Sequence, residues 1–364
     1  MSSHRSLLVG PHDDYTMERE GVPNGTHRVE RNELARTTRR EPASLVIHMR
    51  EEGCQMAVIG YFNGRWIDPA QACVPLDERG HQFGDGVYEV IRAYGGRPFL
   101  LDWHVERLFL SMEALRIRPP FHPDGCKDLI HTLIERSGES EAAIYLQVTR
   151  GSAVRNHLFP EPSVEANVSA TVRPVQSNSP QAKPGRLLLL PDERWLNPWI
   201  KSLNLLPNVM AKQTAHDAGA DEALLVRDGC MIEAASSNVW FVLNGELVTA
   251  PADRYILAGI TRRFVLEMAR DLGVQVREEK LPRERLPEVD AIFLTGTMTE
   301  VYPIASVVEH PDIPCTSIPA ERPPARSVAP EQVREVWTAR DLGLVERLRA
   351  AFVQRVRAWA GAIA

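Results

Sequence analysis

Cysteine is scarce in this chain and follows no pattern. The five residues, Cys54, Cys73, Cys126, Cys230 and Cys315, are odd in number and widely scattered. None share metal-ligand or redox spacing, which argues against a disulfide framework and against a cysteine-built metal site, and no metal is expected. An excess of basic charge is also lacking. Lys and Arg total 42 against 48 Asp and Glu, for a formal charge of -6 and a pI near 6.0, so nothing draws the chain to nucleic acid or to an anionic membrane. No apolar run is long enough to span a bilayer. The N-terminal stretch has no apolar core ahead of a small-residue cleavage site, and Asp13, Asp14, Glu18, Glu20, Glu30 and Glu33 break the acid-poor composition of a transit peptide. Together these absences point to free thiols and a cytoplasmic protein.

What is present is a globular composition of 364 residues, 44% hydrophobic and 25% charged, long enough for two domains. Residues 1–55 are rich in Arg, Glu, His and Thr without sustained periodicity. They read as a disordered extension before a folded chain that begins near Met56. From there, 57–68 reads as a hairpin turning at Asn63-Gly64, and 84–101 as a second turning at Gly95-Gly96. Residues 102–117 have helical spacing with Asp102 as N-cap. A helix near 124–137 and a strand at 142–149 complete an α+β unit over 56–174. The Ser, Asn, Pro and Gly of 175–185 mark an interdomain linker. Beyond it, 186–364 is β-rich, with hairpins at Asp228-Gly229 and Asn244-Gly245, helices at 208–218 and 261–272, a buried strand at 291–297, an irregular Pro-rich stretch over 309–330 and an amphipathic helix at 341–358.

Four groups of residues could carry chemistry. Lys201 interrupts the run WIKSLNLL. It is either a strand lysine facing water or a desolvated amine kept available as a nucleophile, as a Schiff base with an aldehyde cofactor requires. Glu233, in MIEAASSNVWF, is either a strand-end acid in solvent or a buried carboxylate opposite a protonated ring nitrogen, with the SSN that follows supplying hydroxyls and an amide to hold it. LAGITRR opens a helix at a Gly and a Thr, where free N–H groups suit an anion. LTGTMTE ends a strand in hydroxyls, and Arg107 on the first helix could reach the same anion bidentately. Arg155 and His157 stand two apart in QVTRGSAVRNH, on one face of an extended loop. They form either a cationic trap for a carboxylate or an ordinary surface loop.

HQFGDGVYEVIRAYGG, WHVERL, QVTRG, RWLNPWIKSLNLL, IEAASSNVWF, LAGITR and LTGTMTE, in that order over roughly 57–304, resemble the fold-type IV pyridoxal-phosphate enzymes, and among them the D-amino-acid aminotransferases. The resemblance implies an α/β (α+β) protein with a smaller N-terminal α/β sandwich and a larger β-barrel-like C-terminal domain that binds pyridoxal 5'-phosphate. It also implies a homodimer whose site is completed near the subunit interface, acting on an amino acid and a 2-oxo acid. Lys201 matches the lysine that forms the Schiff base and shuttles the proton, and Glu233 the acid on the pyridine nitrogen. Arg107, Ile260, Thr261 and Thr297 match the phosphate contacts. Gly296 stands where relatives often have a hydroxyl, and Met298 replaces a more polar residue beside the substrate. Tyr88 matches the tyrosine near cofactor and substrate. Arg155 and His157 match the pair that grips the substrate α-carboxylate. The expected reaction is ping-pong transamination between a D-alanine-like amino acid and 2-oxoglutarate. The alternatives are a branched-chain or (R)-amine aminotransferase, an aminodeoxychorismate lyase, or a non-catalytic pyridoxal-phosphate carrier.

Overall fold

A computed structural model describes residues 58–176, 183–313, 315 and 328–361. The expected extension over 1–55, the middle of the 175–185 linker and most of the Pro-rich 309–330 stretch lie outside these residues. The first part of the chain runs β1 (Ile59–Phe62), β2 (Arg65–Ile67), α1 (Arg79–Phe83), β3 (Gly86–Tyr94), β4 (Arg97–Pro98), α2 (Leu101–Ala114), α3 (Pro123–Ser137), β5 (Ala142–Thr149) and β6 (Asn167–Pro174). Its strands form an antiparallel sheet in the order β2-β1-β6-β5-β3-β4. Alternation along β5 sends Ile144, Leu146 and Val148 into the core beneath α2 and α3, as expected of a sheet covered on one face.

The second part runs β7 (Gly185–Pro191), α4 (Leu206–Asp217), β8 (Glu222–Arg227), β9 (Cys230–Ala234), β10 (Asn238–Leu243), β11 (Glu246–Thr249), α5 (Ile260–Asp271), β12 (Val276–Glu278), β13 (Leu281–Pro282), β14 (Ala291–Gly296), β15 (Glu300–Glu309), β16 (Arg334–Thr338) and α6 (Gly343–Gly361). Its strands form one mixed sheet in the order β12-β11-β10-β14-β15-β7-β8-β9-β13, with β16 added beside β15. The continuous apolar run of β10 is explained by burial on both faces. Trp240 and Val242 pack with residues of α5 and α6 on one side, and Val239 and Phe241 face the opposite core. Tyr94 and Phe99, from the end of the first sheet, join the α5–α6 core.

The expected hairpins form where the turn chemistry placed them. Asn63-Gly64 and Asp228-Gly229 take positive φ at both positions, the conformation that matches strand twist. Three expectations need correction. Lys201 is not on a strand. Its segment lies alongside β3 through two backbone hydrogen bonds, Tyr88 N–H to Lys201 O and Leu203 N–H to Gly86 O, each 3.0 Å, and is bent by two tight turns, closed by Ser202 N–H to Ile200 O and Leu205 N–H to Leu203 O. Asp102 does not cap α2. Leu100 in the left-handed region begins that helix, and Asp102 sits in its first turn, 2.6 Å from Lys127 Nζ. The helix expected from 208 begins at Leu206, because Pro207 fits the first turn, where its missing N–H costs nothing.

Candidate active site

One cavity of about 500 Å³ gathers the loop after β7, the end of β9, the start of α5 and the end of β14. Its size is typical of a small-molecule site. Tyr88, Arg107, Lys201, Glu233, Ile260, Thr261, Gly296 and Thr297 all line it, so residues spread over more than 200 positions of sequence meet in one place. Lys201 is half-buried, with its Nζ 4.2 Å from the centre of the Tyr88 ring. The two are fixed relative to each other because Tyr88 donates its backbone N–H to Lys201 O, and Lys201 N–H donates to Ser111 Oγ at 3.2 Å. Tyr88 in turn stacks on Tyr145 of the neighbouring strand.

Glu233 is buried, and both its oxygens have partners. Oε1 accepts from Asn238 Nδ2 at 2.8 Å and from Leu257 N–H at 3.0 Å, while Oε2 pairs with Arg194 Nη1. Burial pushes this carboxyl above the ordinary value, and Arg194 and the Leu257 N–H oppose that push. A carboxylate made more basic in this way is a stronger acceptor for a proton held on a ring nitrogen. Arg194 is itself locked by both oxygens of Asp192, which also pairs with Arg227. This buried chain of alternating charges was not anticipated. Arg194 lies 39 residues from Glu233 in sequence, and its RWLNP context reads as surface. The anticipated hydroxyl support is also corrected. Asn238 holds Glu233, but Ser236 Oγ donates to Glu222 at 2.6 Å, and Ser237 Oγ lies 3.2 Å from Thr299 Oγ1.

At the opposite end, α5 opens at Gly259 without a side-chain cap, so its first amides, on Ile260 and Thr261, have no side-chain acceptor where they border the cavity. Arg107 lines the same region, but its Nε–Nη2 edge is taken by Glu89 at 2.7 and 2.8 Å, and its Nη1 donates to Ala258 O at 3.1 Å. Three of its five N–H donors are therefore used, and the bidentate grip expected of it has only the remaining Nη hydrogens to work with. Burial alone would raise the Glu89 carboxyl. Arg107 and His104 overcome that and hold it well below the usual carboxylate range. His104 is buried 2.8 Å from Glu89; desolvation pushes its pKa below the ordinary value, against the pull of Glu89. Neither Glu89 nor His104 was anticipated; both read as ordinary positions of an amphipathic strand and helix.

Arg155, His157 and Met298 do not line this cavity. Arg155 and His157 are exposed on the loop after β5. His157 borders a second hollow of about 360 Å³, which shares Trp195 and Asn204 with the first. Met298 is 38% exposed in the turn between β14 and β15.

The residues present fit pyridoxal phosphate. A half-buried amine, a buried carboxylate and an uncapped helix start with an arginine beside it face one cavity, which matches the aldehyde, ring nitrogen and phosphate of that molecule. Among the described residues, no group of His, Cys, Asp and Glu could hold a metal ion, and no helix is long and apolar enough to cross a membrane.

Comparison with known proteins bears on the same residues. The family model for amino-transferase class IV matches residues 86–307. A D-alanine aminotransferase of Bacillus licheniformis is 39% identical over 247 residues, covering 68% of this chain and 87% of the relative. A D-alanine aminotransferase of Listeria monocytogenes serotype 1/2a is 37% identical over 248 residues, covering 67% and 86%. Among solved structures, the T.th. branched-chain amino acid aminotransferase with pyridoxamine 5'-phosphate superposes with a TM-score of 0.68 at 25% identity, covering 82% of this chain and 93% of that one.

Proposed function

The chain belongs to the amino-transferase class IV family, and from that premise we propose that it moves the amino group of a D-alanine-like amino acid to 2-oxoglutarate, in two half-reactions at one cavity. It is a pyridoxal-phosphate-dependent aminotransferase with an α/β fold. Bound pyridoxal phosphate supplies an aldehyde carbon to receive the amine and a ring to take up electrons. Everything else falls to the protein. Lys201 Nζ, over the Tyr88 ring, takes the substrate's Cα proton and returns it across the amine nitrogen, to the former aldehyde carbon two bonds away. Glu233, kept basic by burial and steadied by Arg194, Asn238 and the Leu257 amide, holds a proton on the ring nitrogen. Arg107, the Ile260 and Thr261 amides and the Gly296–Thr297 strand end bind the phosphate.

Arg155 and His157 take the substrate α-carboxylate. They lie outside their own chain's cavity wall, and exposed apolar side chains flank them: Val154 at 83%, Leu158 at 73% and Phe159 at 44%. An exposed apolar cluster of this kind suits a protein contact. We assign the pair to the cavity of a second copy in a homodimer. The two sheets serve as the two domains, and the enzyme works in the cytoplasm.

The observation that carries the reading is the meeting of Lys201, Glu233 and the α5 start in one cavity of a chain whose curated relatives are D-alanine aminotransferases. A steady-state panel tests it. D-alanine with 2-oxoglutarate should give pyruvate and glutamate, and L-alanine should not. Turnover of L-valine or an arylethylamine without turnover of D-alanine would establish the branched-chain or (R)-amine reading instead. Pyruvate release without amine transfer, from an aminodeoxychorismate substrate, would establish the lyase.

A further inference from the structure

We infer that Phe83, backed by Arg79, is a positioning residue that sets the geometry of the Arg155–His157 carboxylate grip. The inference rests on the role given to that pair above. Both side chains are exposed, yet both lie on one surface. The Arg155 guanidinium sits 5.0 Å from the centre of the Phe83 ring, and the His157 imidazole packs against the same ring at 5.5 Å, tilted by 52°. The residue between them is held as well. Arg79 Nη1 donates to the carbonyl of Asn156 at 2.7 Å. One four-residue step of α1 therefore fixes the backbone of the R-x-H segment with its first residue and supports both of its side chains with its last.

The platform is anchored independently of the loop. Glu78 caps α1 by accepting the His81 N–H at 2.6 Å, and Gly84 closes it in the left-handed region. Asp85 accepts from Arg79 Nε at 2.8 Å and from Arg150 Nε and Nη2 at 2.7 and 2.9 Å. Arg150 also donates to the carbonyls of Leu115 and Arg116, at 2.8 and 3.0 Å. Burial would raise the Asp85 carboxyl, but its two arginines hold it below the ordinary value, so it stays a charged hub. The next element is β3, which carries Tyr88 into the cavity, so one rigid stretch ties the carboxylate grip to the catalytic strand. A long cationic side chain left free in water must be ordered each time it meets a carboxylate. A ring face that already holds it removes that cost and raises affinity without touching the reacting atoms.

The test compares Phe83→Leu, which keeps apolar bulk but removes the ring face, with Phe83→Tyr, which restores it. In the loaded enzyme, Phe83→Leu should raise KM for D-alanine and for 2-oxoglutarate about tenfold, equal to ~1.4 kcal/mol, with kcat within about twofold. Propionate, a carboxylate without an amine, should lose a similar factor as a competitive inhibitor. Cofactor absorbance and Tm should not change, and Phe83→Tyr should behave as wild type. The triple variant Phe83→Leu/Arg155→Ala/His157→Ala should be no worse than Arg155→Ala/His157→Ala, because a support has no effect once both of its loads are gone. If Arg155→Ala raises KM but Phe83→Leu does not, or if Phe83→Leu still adds its full effect when both Arg155 and His157 are replaced, the positioning role is overturned and the carboxylate grip stands. If Arg155→Ala itself leaves KM unchanged, the reading of the grip falls, and this inference with it.

Discussion

Arg194 governs what Glu233 can do. In the role proposed for it, this buried carboxylate must be ionised to hold a ring proton, and burial works against that. Arg194 supplies the compensating charge, and Asp192 and Arg227 hold Arg194. Removing one partner of such a pair leaves an uncompensated buried charge, which costs roughly 3–5 kcal/mol. Arg194→Met should therefore lower unfolding stability by about that amount and weaken pyridoxal phosphate binding. The pH dependence carries a sign. Burial would raise Asp192, but Arg194 and Arg227 keep its folded pKa below the ordinary 3.8. The unfolded chain then takes up this proton first, so the contribution is present above pH 3.8 and is lost as pH falls through the lower folded value. Glu233, raised in the folded state, runs the opposite way. Denaturant unfolding of the cofactor-free variant against pH should show a flatter acid limb than wild type; an unchanged limb would remove Asp192–Arg194 as its cause. Lys201 and Glu233 were legible in the sequence because a charge in an apolar run needs a reason. Arg194, Glu89 and His104 were not, because each acts through a partner that only the fold brings near.

At the scale of elements, the start of α5 links the two ends of the site. A methyl on Gly259 would overlap Asn238 Oδ1, and the amide of that side chain is what donates to Glu233. Gly259→Ala should therefore disturb together the helix start proposed to bind phosphate and the acid proposed to hold the ring nitrogen. We expect pyridoxal phosphate affinity to fall by about tenfold or more, in line with loss of a supporting contact to a ligand group, which a titration of the cofactor-free protein would measure. Wild-type affinity would mean that Asn238 can turn aside without loss. The hairpin strands were legible because Asn-Gly and Asp-Gly turns have a defined backbone requirement. β6, β12, β13, β15, β16 and α1 were missed. β15 contains Pro303, which reads as a breaker, although the strand pairs through it with β14. At five residues, α1 is too short to show periodicity, so the platform under the proposed carboxylate grip left no trace in the sequence pattern.

For the whole molecule, the question is whether one chain makes a site alone. Lys201 lines its own chain's cavity, while Arg155 stands outside it. Co-expressing Lys201→Ala and Arg155→Ala subunits separates the possibilities. Assayed at D-alanine well below the KM of the Arg155→Ala enzyme, a grip that reaches across a homodimer gives hybrids with one intact site beside one doubly defective site, and a random mixture recovers about a quarter of wild-type activity. If the grip serves its own chain, no hybrid has an intact site and activity stays at background.

A single-turnover experiment tests directly whether Lys201 acts on D-amino acids. Loaded enzyme mixed with D-alanine, with no 2-oxo acid present, should release pyruvate in an amount equal to the bound cofactor. L-alanine should release none, and Lys201→Ala should release none from either enantiomer. Stoichiometric pyruvate from L-alanine but not from D-alanine, or full release by Lys201→Ala, would contradict it.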